Sequence, residues 1–292
     1  MDEFTGKLAV ITGGASGVGC SLAFALAGAG ARILVADVDA KALAATRDAL
    51  EAAGATAHAR ACDVTDPSSL GDLAAFAFDT LGGVQLVFAN AGVASGEAGP
   101  LWGYADNDWK WCFEVNFWGV VNTINAFMPR LTEQGEESHL VITGSANGAF
   151  LVYPDQPIYS AAKAAVQVVA EALFHQTSAP GNPVQVHALF PGPHVVETGI
   201  FDSDRVRPER FAKPSSAPDT GIHSAEDLRR LMEAFGTTLE TTHPDEVAQT
   251  ALDGIRRGRF WILPLTPATE SQIKARTDAI LARTDPPVPT IG

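Results

Sequence analysis

Short β-branched runs alternate with longer Ala/Leu-rich segments along most of the chain. KLAVIT (7–12) is apolar almost throughout and predicts a strand buried on both faces. GVGCSLAFALAGAG (17–30) follows as a helix closed by glycine, then RILVAD (32–37) as a second strand and AKALAATRDALEAAG (40–54) as a second helix. TAHARACDV (56–64) predicts a third strand, PSSLGDLAAFAFDTLG (67–82) a helix and VQLVFANAG (84–92) a fourth strand. SHLVITGS (138–145) and PVQVHALFPG (183–192) predict a fifth and a sixth. Strands joined by helices of this length need right-handed crossovers, which build a parallel sheet covered on both faces. The expected fold class is α/β, a doubly wound parallel sheet, in one domain over residues 1–292 with no dividing linker.

Two regions break the alternation. Residues 193–243 are rich in Pro, Ser, Asp and Arg and follow the sixth strand directly. That position, outside a strand's carboxyl end, suits a substrate lid, and a disordered surface insertion is the alternative. From Pro244 the pattern reads as a helix DEVAQTALDGIRRG (245–258), a strand RFWILP (259–264), a helix from about Ala268 and a Pro-rich tail, so residues 265–292 extend the domain. AAVQVVAEALFHQ (164–176) carries small and apolar residues on more than one helical face, which predicts burial on both sides.

Composition narrows the function classes. Apolar residues make up 46% and charged residues 18%, as in a soluble globular protein. With 34 acidic against 20 basic residues the net charge is −14, which repels nucleic acid and anionic membranes. The densest basic cluster, Arg256, Arg257 and Arg259, reads as a solvated helix end. Cys20, Cys62 and Cys112 show no metal-ligand spacing and read as reduced thiols. The N-terminal run is too short for a signal peptide or a membrane span. A cytoplasmic protein without metal, nucleic-acid or membrane partners is expected.

TGGASGVG (12–19) lies between the first strand and the first helix. Gly13, Gly17 and Gly19, with Ser16 and Val18 between them, allow a tight turn whose amides face a pyrophosphate; a generic strand–helix turn is the alternative. Asp37 ends the second strand 18 residues after Gly19, where a carboxylate can accept hydrogen bonds from an adenosine ribose. Its repulsion of a 2′-phosphate favours NAD over NADP, since neither Ser16 nor Val38 is a cation. Further along, IYSAAK (158–163) puts Tyr159 and Lys163 on one helical face, roughly 40° apart.

With these motifs the chain resembles the classical short-chain dehydrogenase/reductase family from Gly6 to about Pro264, on a Rossmann-type fold. TGGASGVG resembles the family's glycine turn, and CDV (62–64) its adenine contact through Asp63 and Val64. ANAG (89–92) supplies Asn90 and Gly92, with Ala89 in place of the family's first Asn. VNFWG carries Asn116, ITGSANG carries Ser145 and YSAAK carries Tyr159 and Lys163. FPG (190–192) resembles the turn beneath the nicotinamide, with Pro191 and Gly192. The run after it, PGPHVVETGI, is two residues longer than the family pattern, which leaves the carboxamide to the amide of Val195 or Val196 and makes Thr198 the equivalent of the family's threonine. His194 falls in the added part, as a loop residue or a substrate contact.

The resemblance implies a division of labour. Tyr159 is the base for the hydroxyl proton, its pKa of about 10 lowered by Lys163 and the cationic nicotinamide. Lys163 also bonds the nicotinamide ribose, Ser145 holds the substrate oxygen, and Asn116 holds a water that relays protons from Lys163. The C-terminal HPDEV and FWILP resemble the branch with bacterial dehydrogenases of benzylic alcohols in lignin-derived aryl ethers. Phe150, Leu151, Val152 and Tyr153, then Val195, Ile200 and Phe201, and Trp102, suggest an apolar pocket for a cyclic or aromatic secondary alcohol or ketone. Arg205, Arg207 and Arg210 reach it only if the lid folds over. An NADP-linked ketone reductase and a catalytically idle dinucleotide sensor or scaffold are the competing readings. The family also implies a homodimer or homotetramer, packed through the Tyr159 helix and the helix after Asn116.

Overall fold

Leu8–Thr12 form strand β1, buried at every position, as a strand between two helical layers must be. The computed structural model describes residues 1, 3–97, 99–214 and 220–289. After β1 come α1 (Gly17–Gly28), β2 (Arg32–Asp37), α2 (Ala40–Ala52), β3 (Ala57–Ala61) and α3 (Pro67–Ala75), which runs on as a π-helical turn over Phe76–Thr80. Asp39 caps α2 by accepting from Ala42 N–H, and Asp66 with Pro67 opens α3. β4 (Leu86–Ala89) leads to α4 (Asp106–Phe113), a π-helical turn at Glu114–Trp118 and α5 (Gly119–Gln134). Then follow β5 (Ser138–Thr143), a short turn α6 (Ala146–Ala149), α7 (Pro157–Thr177) and β6 (Val184–Leu189).

The sheet is parallel throughout, in the order β3-β2-β1-β4-β5-β6 and, at its far edge, the two-residue β9 (Trp261–Ile262). One face is covered by α1, α2 and the late helix Pro244–Arg256, through Leu22, Leu26, Leu43, Leu50, Val247 and Ile255. The other is covered by α3, α5 and α7, through Leu70, Leu73, Phe127, Leu131 and Val166. The strand order reverses between β1 and β4, and the crevice at that point lies above the carboxyl ends of the strands.

Edge strands are shorter than their apolar runs suggest. β3 stops at Ala61, because Asp63 turns the chain by accepting from Thr65 N–H at 2.9 Å. β9 pairs only with the last two residues of β6, Ala188 and Leu189.

The segment after β6 is ordered into small pieces. β7 (Val195–Val196) pairs with β8 (Thr241–Thr242), and between them lie 3₁₀ turns at Gly199–Val206 and Glu209–Phe211 and the helix α8 (Ala225–Ala234). Within this segment the run KPSSAPDTG (213–221) falls largely outside the described residues, since 215–219 are not among them. α9 (Pro244–Arg256) opens with a capping box, His243 accepting from Asp245 N–H and Glu246 accepting from His243 N–H. α10 (Pro267–Ala282) closes the chain, and Arg276 reaches back to the carbonyls of Ala149 and Phe150. Among the described residues no helix is long and apolar enough to cross a membrane.

Candidate active site

A cavity of about 700 Å³ opens over the carboxyl ends of the strands. Its floor is the glycine turn. A Cβ on Gly19 would sit 2.1 Å from the Gly13 carbonyl oxygen, and Gly13 holds φ 64° with a Cβ position 2.8 Å from Ala91 Cα. The backbone therefore approaches itself here as only glycine allows. Ser16, Gly17 and Val18 continue the floor. Asp37 ties the turn to the end of β2: one carboxylate oxygen accepts from Ala15 N–H at 3.1 Å, the other from Asp39 N–H at 3.0 Å.

Asp63 and Val64 line the cavity beyond Asp37, and Arg210 from the segment after β6 lies beside them, 3.7 Å from the Asp63 carboxylate and donating to Thr65 Oγ1 at 3.0 Å. Asn90 knits three strand ends together. It donates to the Thr12 carbonyl at 3.1 Å and accepts from Thr143 Oγ1 at 3.1 Å. Gly92 is close-packed as well, since a Cβ there would meet Asn116 Oδ1 at 3.0 Å.

Ser145, Tyr159 and Lys163 converge on one wall. Ser145 caps α6, its hydroxyl accepting from Asn147 N–H at 3.2 Å, and its hydroxyl favours the Tyr159 phenolate. Lys163 is 3% exposed, donates Nζ to the Thr143 carbonyl at 2.9 Å and stands 5.8 Å from the Tyr159 ring centroid. Gly148 makes room for this packing, as its φ of 99° and a Cβ position 2.3 Å from the Ser160 carbonyl show. Tyr159 keeps part of its surface on the cavity, yet protein crowds the phenol, and this burial pushes it up to about 12. Desolvation outweighs the nearby Ser145 hydroxyl in this shift, whereas the expected lowering joined Lys163 to a bound cationic nicotinamide. Burial likewise brings Lys163 down to about 8, so the ammonium is still the form at neutral pH.

Asn116 is fully buried, is not in the cavity wall, and gives its side chain to Val93, accepting from the N–H at 2.9 Å and donating to the carbonyl at 2.8 Å. It sits in the π-helical turn between α4 and α5. Its side chain therefore braces the segment after β4.

Among the expected substrate contacts, Tyr153, Ile200 and Phe201 line the cavity and Phe150 does not. The α6 turn aims Phe150 at the far sheet edge, where its ring packs on Phe190 at 4.9 Å and Trp261 at 5.7 Å. Trp102 is 88% exposed and stands apart. Pro191, Val195, Val196 and Thr198 line the cavity; Gly192 lies behind Pro191 and Pro193 and does not. His194 also lines it, its ring 3.1 Å from the Glu240 carboxylate. The segment after β6 contributes Arg205 and Arg210 to the cavity wall, whereas Arg207 is buried against Asp108 at 2.5 Å and over the Trp111 ring.

Several wall residues carry no sequence signal. Glu97, Asn147, Trp111 and Ser203 come from loops or from helix positions whose contacts depend on the fold. Only Asn147, inside the ITGSANG motif, stands close enough to a recognised residue to have been singled out.

Comparison with known proteins agrees with this geometry. Residues 7–207 match the short chain dehydrogenase family. A 1-deoxy-11-beta-hydroxypentalenate dehydrogenase of Streptomyces avermitilis is 40% identical over 271 residues, covering 90% of this chain and 96% of that protein. A C alpha-dehydrogenase of Sphingobium is 30% identical, covering 92% of this chain and 84% of its own length. The crystal structure of a short chain dehydrogenase/reductase from Burkholderia phymatum in complex with NAD superposes with TM-score 0.87 at 38% identity, covering 99% of both chains. The parallel sheet, the glycine turn and the Ser145–Tyr159–Lys163 wall thus belong to an oxidoreductase acting on hydroxyl groups, and this chain is a member of the short-chain dehydrogenase/reductase family.

Proposed function

We propose that the protein interconverts a hydrophobic, ring-bearing secondary alcohol and its ketone, with NAD as the redox partner. The observation that carries this reading is the meeting of Ser145, Tyr159 and Lys163 in one cavity that Ile200 and Phe201 also line. A nicotinamide dinucleotide fits the residues present. The close-packed turn at Gly13 and Gly19 leaves room for a pyrophosphate, Asp37 stands where the adenosine ribose would lie, and Asp63 and Val64 flank the adenine end. Bound there, it accepts or supplies the hydride.

Tyr159 takes the hydroxyl proton during oxidation and returns it during reduction. The neutral phenol is the donor in reduction; for oxidation it must first lose its own proton, a step that the Lys163 ammonium and a cationic nicotinamide would favour. Ser145 holds the substrate oxygen and donates to it as charge grows. For the carboxamide, Val196 is favoured over Val195. Glu197 gives its N–H to the Thr242 carbonyl at 3.1 Å, and successive amides of an extended strand face opposite ways, which turns Val196 N–H from β8.

NAD is favoured by the Asp37 carboxylate, and the NAD-bound Burkholderia relative supports the choice. The ring-bearing substrate is supported by the lid's apolar residues and by the dehydrogenases of hydroxypentalenate and of a C alpha position among the relatives. A homo-oligomer is part of the reading, because Val168 on α7 and Trp118 before α5 are exposed by 67% and 48%.

The test is Tyr159→Phe, assayed with 1-phenylethanol and NAD at the nicotinamide absorbance. Turnover should fall by about 100-fold or more while NADH affinity stays within about twofold. Turnover within about tenfold of the unmodified enzyme would remove Tyr159 from the role of base.

A further inference from the structure

Helix α7 begins without a cap of its own. Gln156 occupies the N-cap position and makes no side-chain bond to the first turn, and Pro157 has no N–H. Ile158 and Tyr159 carry the first backbone donors that need a partner. Both find it in one carboxylate from another part of the chain. One oxygen of Glu97 accepts from Ile158 N–H at 2.8 Å, and the other accepts from Tyr159 N–H at 3.1 Å.

Glu97 is itself held. It lies in the segment that leaves β4, where Asn116 grips both backbone atoms of Val93 and the buried Ser95 hydroxyl donates to the carboxylate at 2.7 Å. A negative charge is favourable at the positive end of a helix of 21 residues. Burial pushes the Glu97 carboxyl up, while its three hydrogen bonds oppose that shift. Glu97 also lines the cavity.

We propose that Glu97 is a positioning residue for Tyr159, joining the Asn116-braced segment to the first turn of α7 and so setting where the phenol stands relative to Ser145 and Lys163. This rests on the assignment of Tyr159 as the base. A cap elsewhere on a helix supports the fold in general; this one bonds the backbone N–H of the reacting residue itself. Misplacement of a reacting group by about 1 Å costs on the order of 100-fold in rate, so a shift of this one turn is felt in turnover before it is felt in cofactor binding.

The experiment compares Glu97→Ala, Glu97→Gln and Tyr159→Phe with 1-phenylethanol and NAD, measuring kcat, NADH affinity by fluorescence and melting temperature. Glu97→Ala should lower kcat by about 10- to 100-fold with NADH affinity within about twofold. Glu97→Gln keeps one acceptor for Tyr159 N–H and should recover to within about fivefold of the unmodified enzyme. Three results would overturn the proposal: a kcat for Glu97→Ala near that of the unmodified enzyme, a Glu97→Gln no better than Glu97→Ala, or joint loss of kcat, NADH affinity and melting temperature. An active Tyr159→Phe would instead overturn the assignment of the base, whatever the Glu97 variants do.

Discussion

Asp37 shapes the glycine turn, its carboxylate accepting from two backbone amides, Ala15 and Asp39, and the proposed function also gives it the cofactor's ribose. Replacing it loosens the turn for any dinucleotide, and a ratio separates that loss from discrimination. For Asp37→Ala, the kcat/KM ratio of NAD over NADP should fall by about tenfold or more, since repulsion between a carboxylate and a 2′-phosphate is removed. An unchanged ratio, even with both activities reduced, would assign Asp37 to the turn alone. The Tyr159–Lys163 pair was readable from its spacing of four residues, and its presence on one wall agrees with that reading. The state of the phenol was not readable, because desolvation depends on what packs around it. Asn116 shows the same limit: its motif is local, while its partner Val93 is 23 residues earlier.

At the scale of elements, β5 and β6 carry a buried histidine pair that local pattern gives no reason to expect. His139 and His187 stack at 5.1 Å between centroids, with His139 Nδ1 2.8 Å from His187 Nε2. His187 Nδ1 lies 2.7 Å from the Arg259 carbonyl, which can only accept. His187 Nδ1 therefore donates, its Nε2 accepts from His139 Nδ1–H, and His139 Nε2 is a bare acceptor 3.5 Å from Glu137. Burial first, then the His187 charge, brings His139 down to about 3, although Glu137 pulls the other way. Its folded pKa lies below its unfolded value near 6.5, so between about 6.5 and 3 the unfolded chain binds the extra proton. The pair's contribution is complete above about pH 6.5 and is lost progressively toward pH 3. Melting temperature should therefore fall less steeply from pH 6.5 to 4 in His139→Gln than in the unmodified protein. Equal slopes would show that the acid sensitivity arises elsewhere.

Across the whole molecule, the cavity has one wall from the sheet and one from the segment between β6 and α9. That segment is fastened at several points: Ser203 accepts from Ala94 N–H at 3.1 Å, Asn107 donates to the Ala212 carbonyl at 3.0 Å, and Arg207 is buried against Asp108. Its position supports the reading as a lid, and the division of walls predicts a division of effects. Phe201→Ala should raise KM for 1-phenylethanol by about fivefold or more and for 2-butanol by less than about twofold, with NADH affinity unchanged. Equal rises for both alcohols would mean that Phe201 does not meet the ring.

What the linear chain determined is whatever depends on neighbours in sequence. Apolar runs of strand length between Ala/Leu-rich helices specify a parallel sheet, and glycines at 13, 17 and 19 specify a turn that backbone atoms can enter closely. A Tyr and a Lys four residues apart must share a helical face. Tertiary structure alone decided which distant groups complete those local features. Glu97 caps a helix that begins 60 residues later, Arg210 meets Asp63 from the segment after β6, and Phe150 turns away to the aromatic edge around Trp261. The physical reason is that hydrogen bonds, ion pairs and burial act over a few ångströms of space. Periodicity records which face of an element is apolar, and carries no information on which remote side chain will lie against it.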